Sequence, residues 1–111
     1  MGDEVSGVCV GYSVFDVSDE CYAYNEDACY VAATRESADA FREACDIPSR
    51  AARIERVMLD DLVSDFGCSS GEYAMEAAAY ARFQQLAEQH CVGFEAEAYD
   101  RSGSLMVVQL D

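Results

Sequence analysis

At the C-terminal end the apolar residues Val92, Phe94, Ala96 and Ala98 alternate with Glu95, Glu97 and Tyr99. A period of two is the signature of an extended strand with one dry and one wet face, because successive side chains leave a strand on opposite sides. Asp100-Arg101-Ser102-Gly103 is a turn signal, and Leu105 to Leu110 returns as a second apolar run. The spacing therefore predicts a hairpin over 92–110, and any fold for this chain must accommodate it.

The same period opens the chain. Val8, Val10, Tyr12 and Val14 fall on one face of a strand predicted over 8–17, followed by a turn at 16–20. Cys21 to Tyr24 and Ala28 to Ala33 read as two short strands joined across Asn25-Glu26-Asp27. The period then changes to a helical one. Thr34 is a capping residue, because its hydroxyl accepts an orphan amide, and Glu36 suits the positive end of the helix dipole. A helix is predicted from Arg35 to about Asp46, with Ala38, Phe41 and Cys45 packed on the sheet and Asp39, Arg42 and Glu43 in water; Pro48 stops it.

Between Ser49 and Gly67 two patterns compete. Ile54, Val57, Met58, Leu62 and Phe66 fit one helix, whereas 53–59 also fits a strand. A single helix would set Asp60, Asp61 and Asp65 against its dipole, so a strand ending near Leu59 with Asp60 capping a short new helix is preferred. Ser69-Ser70-Gly71 then forms a loop, and a long helix is predicted from Glu72 to His90, rich in Ala, Glu and Gln, with Tyr80, Phe83, Leu86 and Ala87 on one face. The expected order is β-β-β-α-β-α-α-β-β. This is an α+β fold with a mixed or antiparallel sheet of about five strands and two or three helices packed on one face, in a single acidic domain over 1–111.

Length and composition agree with one core: 111 residues, of which 51% are hydrophobic. The charge is more restrictive. Twenty-two acidic residues face seven arginines and no lysine, a formal net charge of −15. Such a surface repels phosphate backbones and anionic lipid, which excludes direct nucleic-acid binding and membrane association. It attracts basic proteins, and it also serves solubility or life in a salty cytoplasm.

Six cysteines, Cys9, Cys21, Cys29, Cys45, Cys68 and Cys91, have no C-x-x-C spacing, which argues against a zinc ribbon or a thioredoxin-like motif. With no signal-peptide pattern, reduced thiols and a cytoplasmic location are expected. No cofactor and no metal site is expected. The acidic groups at Asp16, Asp19 and Glu20 and at Asp60, Asp61 and Asp65 follow no calcium-loop pattern.

Two functional readings result. In the first, the chain is a non-catalytic binding or inhibitory protein. Its N-terminal third carries seven acids and no basic residue up to Thr34, interleaved with tyrosines. Asp16, Asp19, Glu20, Tyr22, Tyr24 and Glu26 would engage a basic protein through carboxylate pairs and cation–π contact. In the second, Cys68 in Gly67-Cys68-Ser69-Ser70-Gly71 is an activated thiol at the mouth of the long helix, in a small thiol-dependent enzyme or redox sensor. Unless the helix is much shorter than this, His90 cannot be its base, because a helix of that length separates the two by nearly 30 Å, at about 1.5 Å per residue. Arg50, Arg53 and Arg56 form the only basic group and are expected to pair internally. A third possibility is an accessory domain that dimerises through an exposed strand such as Leu105 to Leu110.

Overall fold

The structure, a computed structural model, describes residues 9–25, 28–63, 72–98 and 104–110. In chain order its elements are β1 (Cys9–Asp16), β2 (Cys21–Tyr22), β3 (Tyr24–Asn25), β4 (Ala28–Val31), α1 (Arg35–Ala44), a 3-10 turn (Ser49–Ala51), β5 (Ala52–Met58), α2 (Leu59–Val63), β6 (Glu72–Glu76), α3 (Ala77–Gln89), β7 (Phe94–Ala98) and β8 (Leu105–Leu110). The class is α+β, as the periodicities imply. The strands form two sheets, in the orders β2-β1-β5 and β3-β4-β6-β8-β7, in place of one sheet of about five.

The sheets are joined at β1. Tyr12 and Ala32 exchange both backbone hydrogen bonds, at 2.8 and 2.7 Å, so the chain leaving β4 is stitched to the middle of β1. Ala23 makes a second link, donating to the Val14 carbonyl and accepting from the Tyr30 amide. Gly11 is what permits this approach. A Cβ there would lie 2.3 Å from the Ala32 carbonyl oxygen and 2.9 Å from Val31 Cγ1, so β1 meets its neighbour through a residue without a side chain.

The core lies on both sides of this join. One cluster collects Val10, Val31, Val57, Leu59, Leu62, Tyr73, Met75, Phe83 and Val108 between the five-stranded sheet, α2 and α3. The other places Val14, Tyr30, Ala32 and Ala38 against Tyr12, Phe41 and Ile54, beneath α1. The helices share β1 and differ in what else they cover, so they do not lie together on one face of one sheet as expected. α1 packs on β1 and β5, and α3 packs on β1, β6 and β8.

Thr34 caps α1 as expected, its Oγ1 accepting from the Ser37 amide at 3.0 Å. The helix ends two residues before the expected Asp46, because Asp46 turns left-handed at φ 60° and the Ile47 amide bonds back to the Arg42 carbonyl. Two side chains of this helix depart from expectation. Arg42, assigned to water, is 9% exposed; it binds Asp39 at 2.7 Å and donates to the Ile47 carbonyl at 2.7 Å, which lets its stem lie buried. The bond from Arg42 holds the Asp39 carboxyl below its ordinary range. Cys45, assigned to the packed face, is exposed at the helix end.

The middle segment resolves as strand then helix, with β5 running antiparallel to β1 from Cys9↔Met58 to Asp16↔Ala52, but α2 starts at Leu59, so Asp60 lies in its first turn and is not the N-cap expected. The long helix over 72–90 does not form as such. Its first five residues are β6, paired parallel to β4 and antiparallel to β8, and the helix begins only at Ala77. Strand pairing on both edges, with burial of Tyr73, Ala74 and Met75, outweighs the modest helical preference of Glu, Ala and Met. The hairpin over 94–110 is present, but β8 lies between β6 and β7 and is not an edge. The edges of that sheet are β3 and β7, and on β7 Glu95 and Glu97 are exposed.

Candidate functional site

The acidic turn predicted at 16–20 is formed, and its carboxylates have unequal tasks. Asp16 accepts from the Ser18 amide at 3.0 Å and the Asp19 amide at 3.3 Å, so it folds the turn. The Val17 amide ties the turn to the Ala51 carbonyl at 2.8 Å. Asp19 and Glu20 are exposed, beside Val17, which at 44% is the most exposed large apolar side chain described. Glu20 holds φ 54°, a left-handed conformation that glycine or asparagine adopts with less strain.

Tyr22 stands next to this turn but is already engaged. Its hydroxyl donates to Glu55 Oε1 at 2.7 Å and its ring meets Phe15 edge-on at 5.0 Å. Arg53 completes the group, pairing with Glu55 Oε2 at 3.1 Å and lying 4.7 Å over the Phe15 ring. Of the internal pairing expected for Arg50, Arg53 and Arg56, that of Arg53 is present, whereas Arg50 and Arg56 make no ion pair among the described residues. Tyr24 is placed by its backbone on β3, opposite Cys29. Glu26 and Cys68 lie outside the described residues. Of the six residues proposed for partner binding, the structure thus brings Asp16, Asp19 and Glu20 together and turns Tyr22 to an internal role.

Two of the described thiols, Cys21 and Cys45, are shifted away from activation. Cys9, Cys21, Cys45 and Cys91 are free, and Cys29 is buried. Burial pushes the Cys21 thiol up, with Asp19 and Asp16 adding to the rise; burial and then Asp46 do the same for Cys45. A nucleophilic cysteine needs the opposite shift. His90 ends α3, its amide donating to the Leu86 carbonyl. Among the described residues no group of three or more His, Cys, Asp or Glu side chains is arranged to hold a metal, and no described helix is long and apolar enough to cross a membrane.

A second acidic surface lies on the five-stranded sheet, on the face turned away from α3. Glu72, Glu95, Glu97, Val107 and Gln109 line a shallow groove of about 280 Å3, with Gln109 directly between Glu72 and Glu95 in the register. The alternation at 94–98 exposes the two outer glutamates to inspection. Glu72 was hidden by its assignment to a helix.

Glu76 is a functional-looking carboxylate that proves structural. It accepts from the Tyr30 hydroxyl at 2.7 Å and from the Ala33 amide at 2.9 Å, while Tyr30 stacks on Phe41 at 3.8 Å. Burial, then the bond to Glu76 and its charge, push the Tyr30 hydroxyl far above its ordinary value of 10.0. A raised phenol stabilises the fold below the pH where the unfolded tyrosine ionises. That contribution is lost as pH rises from about 10 towards the folded value, since only the unfolded chain then releases the proton. Alkaline titration at 295 nm should leave Tyr30 un-ionised after the exposed tyrosines have titrated. Stability should fall across that window in the native protein, and the Tyr30→Phe variant should show a smaller fall.

No protein-family model matches the chain, and no curated protein and no solved structure matches it.

Proposed function

We propose that the chain is a non-catalytic acidic binding protein that engages a basic protein partner through the turn at 16–20. The observation that carries this reading is Glu20. A glutamate is held left-handed at φ 54° with its carboxylate in water, next to the exposed Asp19 and Val17. A left-handed non-glycine residue closing an exposed turn is a feature of recognition sites, and the pairing of carboxylates with an apolar side chain suits an arginine or lysine with its aliphatic stem. The net charge of −15 adds long-range attraction for a basic partner. Because Tyr22 is bound to Glu55, the contacts come from carboxylates and Val17 and not from the tyrosine hydroxyl.

The test separates this turn from charge in general. Asp19→Arg with Glu20→Gly is compared with Glu95→Arg and Glu97→Arg, all as tagged bait in lysate of the native host, washed at rising salt. Glycine relieves the left-handed strain, so the turn variant should be at least as stable as the parent, within about 1 kcal/mol. It should nevertheless lose at least tenfold in capture of a basic protein that the Glu95/Glu97 variant retains. Equal loss in both variants would reduce the interaction to net charge, and loss only in the Glu95/Glu97 variant would move the site to the sheet groove.

A further inference from the structure

We propose that an open cleft between α1, β1 and α3 binds the oxyanion head of a small molecule, a phosphate or carboxylate group, between Arg35 and Arg82. The cleft measures about 370 Å3 and is lined by Tyr12, Ala33, Thr34, Arg35, Glu36 and Arg82. It lies apart from the acidic turn and does not depend on the partner-binding reading.

The argument begins with how the chain uses its arginines. With 22 acids and seven arginines, carboxylates are in large excess. Arg42 and Arg53 take them, binding Asp39, Glu43 and Glu55 at 2.7–3.5 Å. Arg35, Arg50, Arg56 and Arg82 make no ion pair among the described residues, and of these four Arg35 and Arg82 line the same cleft. Arg35 lies over the Tyr12 ring at 5.3 Å and reaches the Ile54 carbonyl at 3.5 Å. Arg82 donates to the Val10 carbonyl at 3.2 Å, two residues before Tyr12 of the Tyr12–Ala32 bridge. A guanidinium carries five N–H donors, so each retains several directed bonds for a ligand while one contact fixes its position.

These two cations come from different helices and face one cleft, on a protein whose field is otherwise negative. An anion between them relieves their mutual repulsion and adds charge-assisted hydrogen bonds. The Tyr12–Ala32 bridge makes the floor rigid, which limits the ordering cost of binding. Thr34 contributes little directly, because its hydroxyl is occupied with the Ser37 amide and side chain. Among the described lining residues Glu36 is the one carboxylate, and with Arg35 and Arg82 it gives them a single excess positive charge. A compact anion is therefore the ligand. An extended polyanion would meet the remaining acidic surface. The volume corresponds to roughly a dozen waters at about 30 Å3 each, the size of a small metabolite.

The test uses sodium phosphate and sodium acetate against sodium chloride at matched ionic strength, with melting temperature and amide NMR shifts as readouts. At least one of the two oxyanions should raise the melting temperature saturably above chloride and shift the amides of Arg35 and Glu36. A response to phosphate alone identifies a phosphate-bearing ligand, and a response to acetate alone a carboxylate. Arg35→Gln should weaken the apparent affinity at least tenfold, Glu36→Gln should tighten it several-fold, and Arg50→Gln, at an exposed arginine outside the cleft, should leave it unchanged. Arg82→Gln also frees the Val10 carbonyl, so the exposed Arg35 carries the test. Identical behaviour in all three salts, or equal loss in Arg50→Gln and Arg35→Gln, would overturn the proposal.

Discussion

Phe83→Ala should lower the free energy of unfolding by about 3–5 kcal/mol, the usual range for removing a buried phenyl ring from a packed core. Phe83 is 0% exposed at the centre of α3, and its ring meets Phe94 edge-on at 4.8 Å within the core cluster that also holds Tyr73, Met75 and Val108. Alanine is the better helix former, so the loss will not come from α3 itself. It comes from the apolar surface returned to water and the cavity left between helix and sheet. Against a total stability of about 5–15 kcal/mol for a domain, this is a large fraction. Urea titration should show a lower midpoint with an unchanged slope, and Gln84→Ala, one residue along on the exposed face, should move it by less than about 0.5 kcal/mol. An equal effect at the two positions would mean that α3 does not present Phe83 to the core.

Gly11→Ala should cost about 3 kcal/mol, opposite in sign to the gain of about 0.4–1 kcal/mol that such a change gives where a methyl group fits. The added carbon would meet the Ala32 carbonyl oxygen at 2.3 Å. That oxygen cannot simply retreat, because it accepts from the Tyr12 amide at 2.8 Å and the adjoining Ala32 amide donates to Tyr12 at 2.7 Å. Relief requires opening the bridge that joins the two sheets. Thr34 and Arg35 follow directly from that bridge, so the variant should also show a weaker response to the responsive oxyanion. Equilibrium denaturation decides the first point; an unchanged or raised midpoint would show that β1 and the segment after β4 are not in contact at Gly11.

Elements with a local signal were legible in the sequence. Thr34 announced α1 through its hydroxyl, the alternation at 94–98 announced a strand, and the balance of dipole and acids at 60–65 separated β5 from α2. The start of α3 could not be read in this way. Its N-cap is Glu76, whose carboxylate is turned to Tyr30 and Ala33 and makes no capping bond, so no capping signature marks the boundary. The Ser70-Gly71 signal five residues earlier was the stronger local pattern, and the expected helix began too soon.

The candidate site divides along the same line. Asp16, Asp19 and Glu20 are neighbours in sequence, and a turn there was evident. That Asp16 would fold the turn and leave the other two in water depends on which backbone amides face it. Tyr22 was grouped with them by proximity in the chain, but Glu55, 33 residues away, claims its hydroxyl. Arg35 and Arg82 carry no shared motif at all. They line one cleft because α1 and α3 both pack on β1.

By itself the sequence determined the class of the fold, the extended segments at both ends, the capped first helix and a net charge of −15. Those properties follow from hydrophobic period, capping chemistry and counting, each of which acts within a few residues or needs no structure. Tertiary structure decided that Glu72–Glu76 is a strand, that Arg42 is buried, and which carboxylates and arginines remain available to a ligand. Propensities differ by less than about 1 kcal/mol per residue, whereas pairing on two strand edges and burial of Tyr73 and Met75 are contributions of several kcal/mol supplied by residues distant in the chain.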